Sequence, residues 1–251
     1  KVVTIHNIPR YLHLKMLRGF IDAFITVGYK ESVILKHMKV AKNVYYIPLG
    51  VSWDMFRPVN KKYSRSLLGI DPNAIVLLTT NDDPRVCADK VIEIVYCLRR
   101  KYDLNAKLLI LGRPSNYTLK KNRDLNMESA VRFVYGIPLN RLVHLYNSAD
   151  LMLYLSIFDA FPLSIVEAMA CGLPILSTPV GSVPLVMKGL EELLLDENSE
   201  IEEICDRVYR LLQDKDSLEK YSKLLRKKSS KYSWRMTALR TLQVYLDILR
   251  H

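Results

Sequence analysis

Short apolar runs alternate with longer amphipathic stretches along most of the chain. They fall at Val2–Ile5, Phe24–Val27 and Val44–Ile47, and then, beyond an irregular stretch ending at Pro58, at Ile75–Leu78, Lys107–Leu111, Val131–Val134, Leu151–Leu155, Pro174–Ser177 and Leu193–Leu195. Runs this short and this continuously apolar suit strands covered on both faces, and the amphipathic stretches suit the helices between them. The pattern predicts an α/β fold with a doubly wound parallel sheet of about six strands after Pro58, preceded by a smaller strand group. From Ile201 the pattern is helical, interrupted at Ser229–Ser233, with a last helix over Trp234–Leu249.

One helix breaks the amphipathic rule. From Pro162 the run Leu163, Ile165, Val166, Ala168, Met169, Ala170 is apolar nearly all round, between a first-turn proline and the terminating Gly172 and Pro174. A helix of that kind is buried, yet it carries Ser164 and Glu167 three residues apart on one face, with Cys171 a turn further on. Carboxylates are seldom buried without a partner, so this polar stripe predicts a ligand cleft. Asp159 lies in the turn between the run Leu151–Leu155 and the helix. A strand, an acidic turn and a helix N-terminus together make a phosphate-binding geometry, because the first-turn N–H groups and the helix dipole both favour an anion. Glu167 then sits roughly 7 Å along the axis, about the offset from a diphosphate to a ribose diol. The expected ligand is a nucleotide diphosphate bearing a further group.

Composition narrows the classes without choosing among them. The 251 residues are 49% hydrophobic, enough for one full core and part of a second. No apolar stretch approaches bilayer-spanning length and no signal-peptide pattern opens the chain, so a cytoplasmic location is expected. Cys87, Cys97, Cys171 and Cys205 are too scattered for a C-x-x-C metal site or a disulfide framework. The net charge of +11 fits phosphate-bearing substrates, and also a peripheral contact of the basic clusters Lys61–Lys62 and Arg226–Lys228 with an anionic membrane. Specific nucleic-acid binding is not expected, since neither a recognition-helix motif nor an aromatic stacking platform is evident.

The segment Asp159-x7-Glu167 followed by Ala-Met-Ala-Cys-Gly-Leu-Pro resembles the signature of GT-B glycosyltransferases of the family 4 type, with aspartate in place of the usual first glutamate. The stretch Ile47–Pro58, IPLGVSWDMFRP, resembles that family's linker between two Rossmann-like domains. The resemblance implies that residues 1–50 are the end of an N-terminal acceptor-side domain whose remainder is absent from this sequence. Residues 51–233 would form the C-terminal domain that binds the nucleotide-sugar, and residues 234–251 a helix crossing back toward the N-terminal domain. It further implies transfer of a sugar from a nucleotide-diphospho-sugar, with retention of anomeric configuration and no metal or other cofactor, to a carbohydrate, lipid-linked or protein acceptor. Asp159 takes the donor sugar in that reading, and Glu167 the ribose. Phe161, Pro162, Leu163 and Ser164 bring the helix N-terminus to the phosphates, and the backbone of Tyr135, Gly136 and Ile137 reads the base.

The remaining assignments keep alternatives. After Ile75–Leu78 comes Thr-Thr-Asn-Asp-Asp-Pro-Arg, without the glycines of a dinucleotide-binding turn, which argues against a dehydrogenase. The family places an Arg and a Lys near the donor phosphates. Arg85 and Lys90 have the right spacing but are displaced by several residues, and Lys90 also reads as a solvated helix charge. His6 ends the first strand, where the family can place a histidine beside the donor sugar, or where a histidine is simply structural. Gly181-Ser182 matches a Gly-Gly turn near the phosphates, with Ser182 a departure. The rival function is a nucleotide-sugar-binding or regulatory module with impaired catalysis. A pair of acids this far apart is a poor Mg²⁺ cage, and with Glu167 at the ribose the two do not make a glycosidase pair.

Overall fold

The computed structural model describes residues 1–6, 19–40, 42–80 and 85–250. Strands β1 (Val2–Ile5), β2 (Ala23–Thr26) and β3 (Asn43–Tyr46) pair in parallel in that order, with helix α1 (Tyr29–Met38) between the second and third. Helix α2 (Lys61–Leu68) follows the linker. Next come β4 (Ile75–Thr80), α3 (Ala88–Tyr102), β5 (Ala106–Leu111), α4 (Asn116–Asp124), β6 (Val131–Val134), α5 (Leu139–Ser148), β7 (Leu151–Tyr154), α6 (Leu163–Ala170), β8 (Ile175–Ser177) and the short α7 (Val183–Val186). Helices α8 (Ile201–Gln213), α9 (Lys215–Ser229) and α10 (Trp234–Leu249) close the chain. The larger sheet is parallel throughout in the order β6-β5-β4-β7-β8.

The chemistry of each element explains its place. Val76, Leu77 and Leu78 of β4 and Leu151, Met152 and Leu153 of β7 are fully buried, as strands covered by helices on both faces must be. On α3 the residues Val91, Ile92, Ile94, Val95 and Leu98 face the sheet, while Lys90, Arg100 and Lys101 stay in solvent. One expected strand does not form. Leu193 and Leu195 are buried and Leu194 half-buried, but Glu191–Leu193 is a 3-10 turn and Leu194 makes only a single bridge to Ser177. Here tertiary burial, and not a sixth ladder, accounts for the apolar run.

The linker and the last helix meet at one point. Gly50 packs so closely on the backbone of Ser233 and Trp234 that a Cβ would collide with it, and the Val51 N–H donates to Tyr232 O at 2.8 Å. Trp53 is held on α9 by its indole N–H to Ser229 Oγ at 2.9 Å and by the Arg226 guanidinium 4.0 Å from its ring centroid. Beyond this crossing α10 lies on the small sheet, with Val244 packed against Ala23, Ile25 and Ile47, and Thr237 Oγ1 donating to Pro48 O. The two sheets are thus joined by two strands of chain, the linker and the start of α10.

A buried ion pair anchors α2 to the start of the larger sheet. Arg65 donates to Ser148 O (2.9 Å), Pro72 O (2.7 Å) and Asp150 Oδ2 (2.7 Å), and that same carboxylate oxygen accepts the Val76 N–H at 2.7 Å. Removing the guanidinium leaves the carboxylate and two carbonyls short of donors. With Lys61 Nζ still 2.8 Å from Asp150, Arg65→Ala is expected to cost about 1–3 kcal/mol, read as a lower urea midpoint with an unchanged slope.

Candidate functional site

In the larger sheet β4 is flanked by β5 on one side and β7 on the other, so the connections run to opposite directions from their shared edge. A crevice opens beyond the carboxyl ends of strands at such a switch point, and ligands of open α/β sheets bind there. The segments that leave these two strands carry Arg85 and Asp159. Of the turn after β4, residues 81–84 lie outside the described residues, so the expected glycine-free turn is described only from Arg85 onward. Val86 bridges Ser156, Arg85 O accepts from Ile157 N at 3.0 Å, and the Arg85 guanidinium lies 4.7 Å from the Phe158 ring centroid. These contacts bring Arg85 and the Asp159 loop together.

The loop then turns into α6. Phe161 and Pro162 are buried, Leu163 and Ser164 half-buried, and Pro162 supplies no side-chain cap to the first turn. Beneath the loop is Gly181, at φ 53°, where a Cβ would run into the carbonyl oxygens of Asp159 and Ala160. Both candidate acids are fixed by buried phenols. The hydroxyl of Tyr154, on the last residue of β7, donates to Asp159 Oδ2 at 2.6 Å, and Tyr146 of α5 donates to Glu167 Oε2 at 2.6 Å. Hydrogen bonds this short to a carboxylate fix its orientation at the crevice.

The predicted residues separate into those gathered here and those elsewhere. Asp159, Phe161–Ser164, Glu167 and Arg85 belong to the β4–β7 crevice. Cys171 leaves the expected stripe: it is the buried C-cap of α6, its thiol pushed up to about 12 by burial and then by the Glu167 charge. Lys90 is exposed in the first turn of α3. Exposed Tyr135, Gly136 at φ 64° and half-buried Ile137 follow β6, which β5 and β4 separate from β7 in the sheet. His6 is exposed just after β1 in the small sheet. Among the described residues, no group of three or more His, Cys, Asp or Glu is arranged to hold a metal ion.

Residues 61–228 match the model of the family Glycosyl transferases group 1. The chain belongs to that family. Relatives and neighbours of known structure agree with the fold. The D-inositol 3-phosphate glycosyltransferase of Saccharomonospora viridis is 27% identical over 211 residues, 80% of this chain and 49% of that protein, so the chain spans about half the length of such curated relatives. Sucrose-phosphate synthase from Thermosynechococcus elongatus superposes with TM-score 0.84 at 20% identity over 99% of this chain and 68% of that one. Anabaena HepE, solved in complex with UDP-glucose, superposes with TM-score 0.83 at 16% identity over 98% of this chain and 72% of its own. The fold is therefore GT-B, with five parallel strands in the larger sheet and three in the smaller among the described residues.

Three residues of this group 1 site were not singled out from the sequence. Tyr146 and Tyr154 read as core aromatics, and only the fold reveals that their hydroxyls meet Glu167 and Asp159. The third is Glu31, in the first turn of α1. It is only 3% exposed, and its Oε2 has no hydrogen-bond partner among the described residues. The Tyr29 N–H donates to Ser182 Oγ, which donates to Ala160 O, so α1 is docked on the Asp159 loop through the residue that departs from the family's Gly-Gly turn. Burial first, and the Asp159 charge in addition, raise the Glu31 pKa above its ordinary 4.5, against its own backbone N–H and Lys30.

A raised carboxyl pKa gives a definite sign. Between 4.5 and its folded value the folded chain holds a proton that the unfolded chain has lost, so stability falls as pH rises through that window and levels off above it. Thermal melts across pH 4 to 9 are expected to show this loss in the wild type and a flatter profile in Glu31→Gln.

Proposed function

We propose that the protein transfers a sugar from a nucleotide-diphospho-sugar to an acceptor, retaining the anomeric configuration and using no metal. The observation that carries this reading is the pair of phenol-held carboxylates, Asp159 at the mouth of the β4–β7 crevice and Glu167 along α6. One precedes the helix N-terminus and the other follows it, with uncapped first-turn N–H groups between them. A diphosphate fits those N–H groups and the helix dipole. The Glu167 carboxylate accepts from the ribose diol on one side, and Asp159 from a sugar hydroxyl on the other. Arg85, stacked on Phe158, brings a permanent positive charge to the leaving diphosphate. The complex of HepE with UDP-glucose, in a chain of the same fold, supports a uridine nucleotide as the first ligand to try.

In this mechanism the acids bind and do not exchange protons. The chemical work falls on the charge that develops at the diphosphate as the glycosidic bond breaks, which prearranged N–H dipoles and a guanidinium stabilise without reorganising. The basic excess of the chain steers anionic donors toward the crevice and also favours peripheral contact with anionic lipid, where a lipid-linked acceptor would be met.

The two acids are separable by experiment. Glu167→Gln is expected to weaken nucleoside diphosphate binding by about 1.5–3 kcal/mol with the melting profile intact. Asp159→Asn is expected to spare the nucleoside diphosphate and weaken only the sugar conjugate. Calorimetry with UDP and UDP-glucose on both variants checks this, and unchanged nucleotide affinity in Glu167→Gln would remove the ribose assignment.

A further inference from the structure

Helix α1 starts without a capping side chain. Its N-cap is Gly28, and the space a Cβ would occupy there is taken by the Glu31 carboxyl, with the Ala160 Cβ 3.0 Å away on the other side. The carboxyl accepts the N–H of its own residue, a first-turn donor that a Ser or Thr cap would have satisfied, and Ser182 accepts the N–H of Tyr29 from across the seam. Capping needs one oxygen. The other, Oε2, is buried without a partner among the described residues, beside the loop that carries Asp159. The buried Tyr46 hydroxyl lies in the same seam, close to Ser182 and to the Glu31 charge.

A serine would cap this helix without placing a second carboxyl oxygen out of reach of water, so capping does not account for Glu31. Buried polar atoms left unpaired are costly, and they recur where a ligand later supplies the partner. Glu31, from the small unit, packs beside Ala160, the residue after Asp159 in the larger, and the Asp159 charge adds to the rise in the Glu31 pKa. We infer that Glu31 is a specificity-determining residue of the donor-sugar subsite, where its free oxygen and Asp159 bracket one sugar hydroxyl from opposite sides. The inference rests on the reading of the crevice as a nucleotide-sugar site.

A hydroxyl is the group that fits because it both gives and takes a hydrogen bond. Burial shifts Glu31 toward its neutral form, and a neutral acid donates to the hydroxyl oxygen while the hydroxyl donates to the Asp159 carboxylate. An ammonium, a phosphate or a methyl group cannot satisfy both partners at once. The ligand class is therefore an aldose with a free hydroxyl at the bracketed carbon, and an analogue lacking that oxygen leaves the buried Glu31 Oε2 without that partner. The small unit thereby takes part in choosing the donor, although the diphosphate is held by the larger one.

The test uses the full chain and calorimetry with UDP, UDP-glucose and the 2-, 3-, 4- and 6-deoxy forms of UDP-glucose, with the ADP and GDP series run alongside. Glu31→Ala is expected to weaken the intact donor roughly tenfold or more and the nucleoside diphosphate by less than about twofold. Glu31→Gln, which is neutral and still a donor, restores most of that affinity. The Ala penalty should vanish for one deoxy form alone, the one lacking the bracketed hydroxyl. An equal penalty with every deoxy form, or equal weakening of donor and nucleotide, would make Glu31 a helix cap and overturn the inference while leaving the nucleotide site standing. If the wild type binds none of the nucleoside diphosphates, the function itself is wrong and Glu31's role falls with it.

Discussion

The structure depends on a reversal in a parallel sheet. With β4 between β5 and β7, the connections that follow β4 and β7 lead in opposite directions, which opens a gap at the strands' carboxyl ends. Everything assigned to the site is an answer to that gap. The Asp159 loop is pressed against Gly181, α6 begins without a cap, and two phenols reach from the core to pin the acids that border it. The apolar circumference of α6 follows from the same constraint. A helix buried on nearly every side can point its few polar atoms only along its remaining open face and off its N-terminus.

The second constraint is the seam between the two parallel units. It is sewn by two crossings of the chain, at Gly50 and at Ser233–Trp234, and by the dock of α1 on Ser182 and Ala160. The crossings are held by satisfied hydrogen bonds and by Trp53 clamped on α9, whereas the dock includes an oxygen with no partner among the described residues. Polar contacts with unsatisfied atoms are the cheaper ones to part. A seam built firmly at one end and loosely at the other suits a cleft that must admit a ligand.

Much of this was legible in the sequence. Eight of the nine apolar runs are strands, because a run covered on both faces has few other ways to satisfy its backbone. The ninth, Leu193–Leu195, is equally apolar and buried at Leu193 and Leu195, and sequence has no means of distinguishing burial in a 3-10 turn from burial in a ladder. Asp159, Glu167 and the α6 terminus were legible since an acid in an apolar helix is anomalous locally. Tyr146 and Tyr154 were not, since a tyrosine in an apolar run is ordinary until the fold shows where its hydroxyl lies. Glu31 was hidden for the opposite reason, as an acid in a first turn looks like routine complement to a helix dipole. Cys171, one turn past Glu167, belonged to the stripe by spacing and left it by burial.

The central claim is that a nucleoside diphosphate sits at the N-terminus of α6, and hydrogen exchange read by mass spectrometry tests it most directly. With UDP, GDP or ADP present at saturation, the account predicts slowed exchange in the peptide spanning residues 159–168, whose first-turn amides would bind phosphate. Binding with protection confined to the small unit or to the far end of the sheet, and none in that peptide, would contradict it.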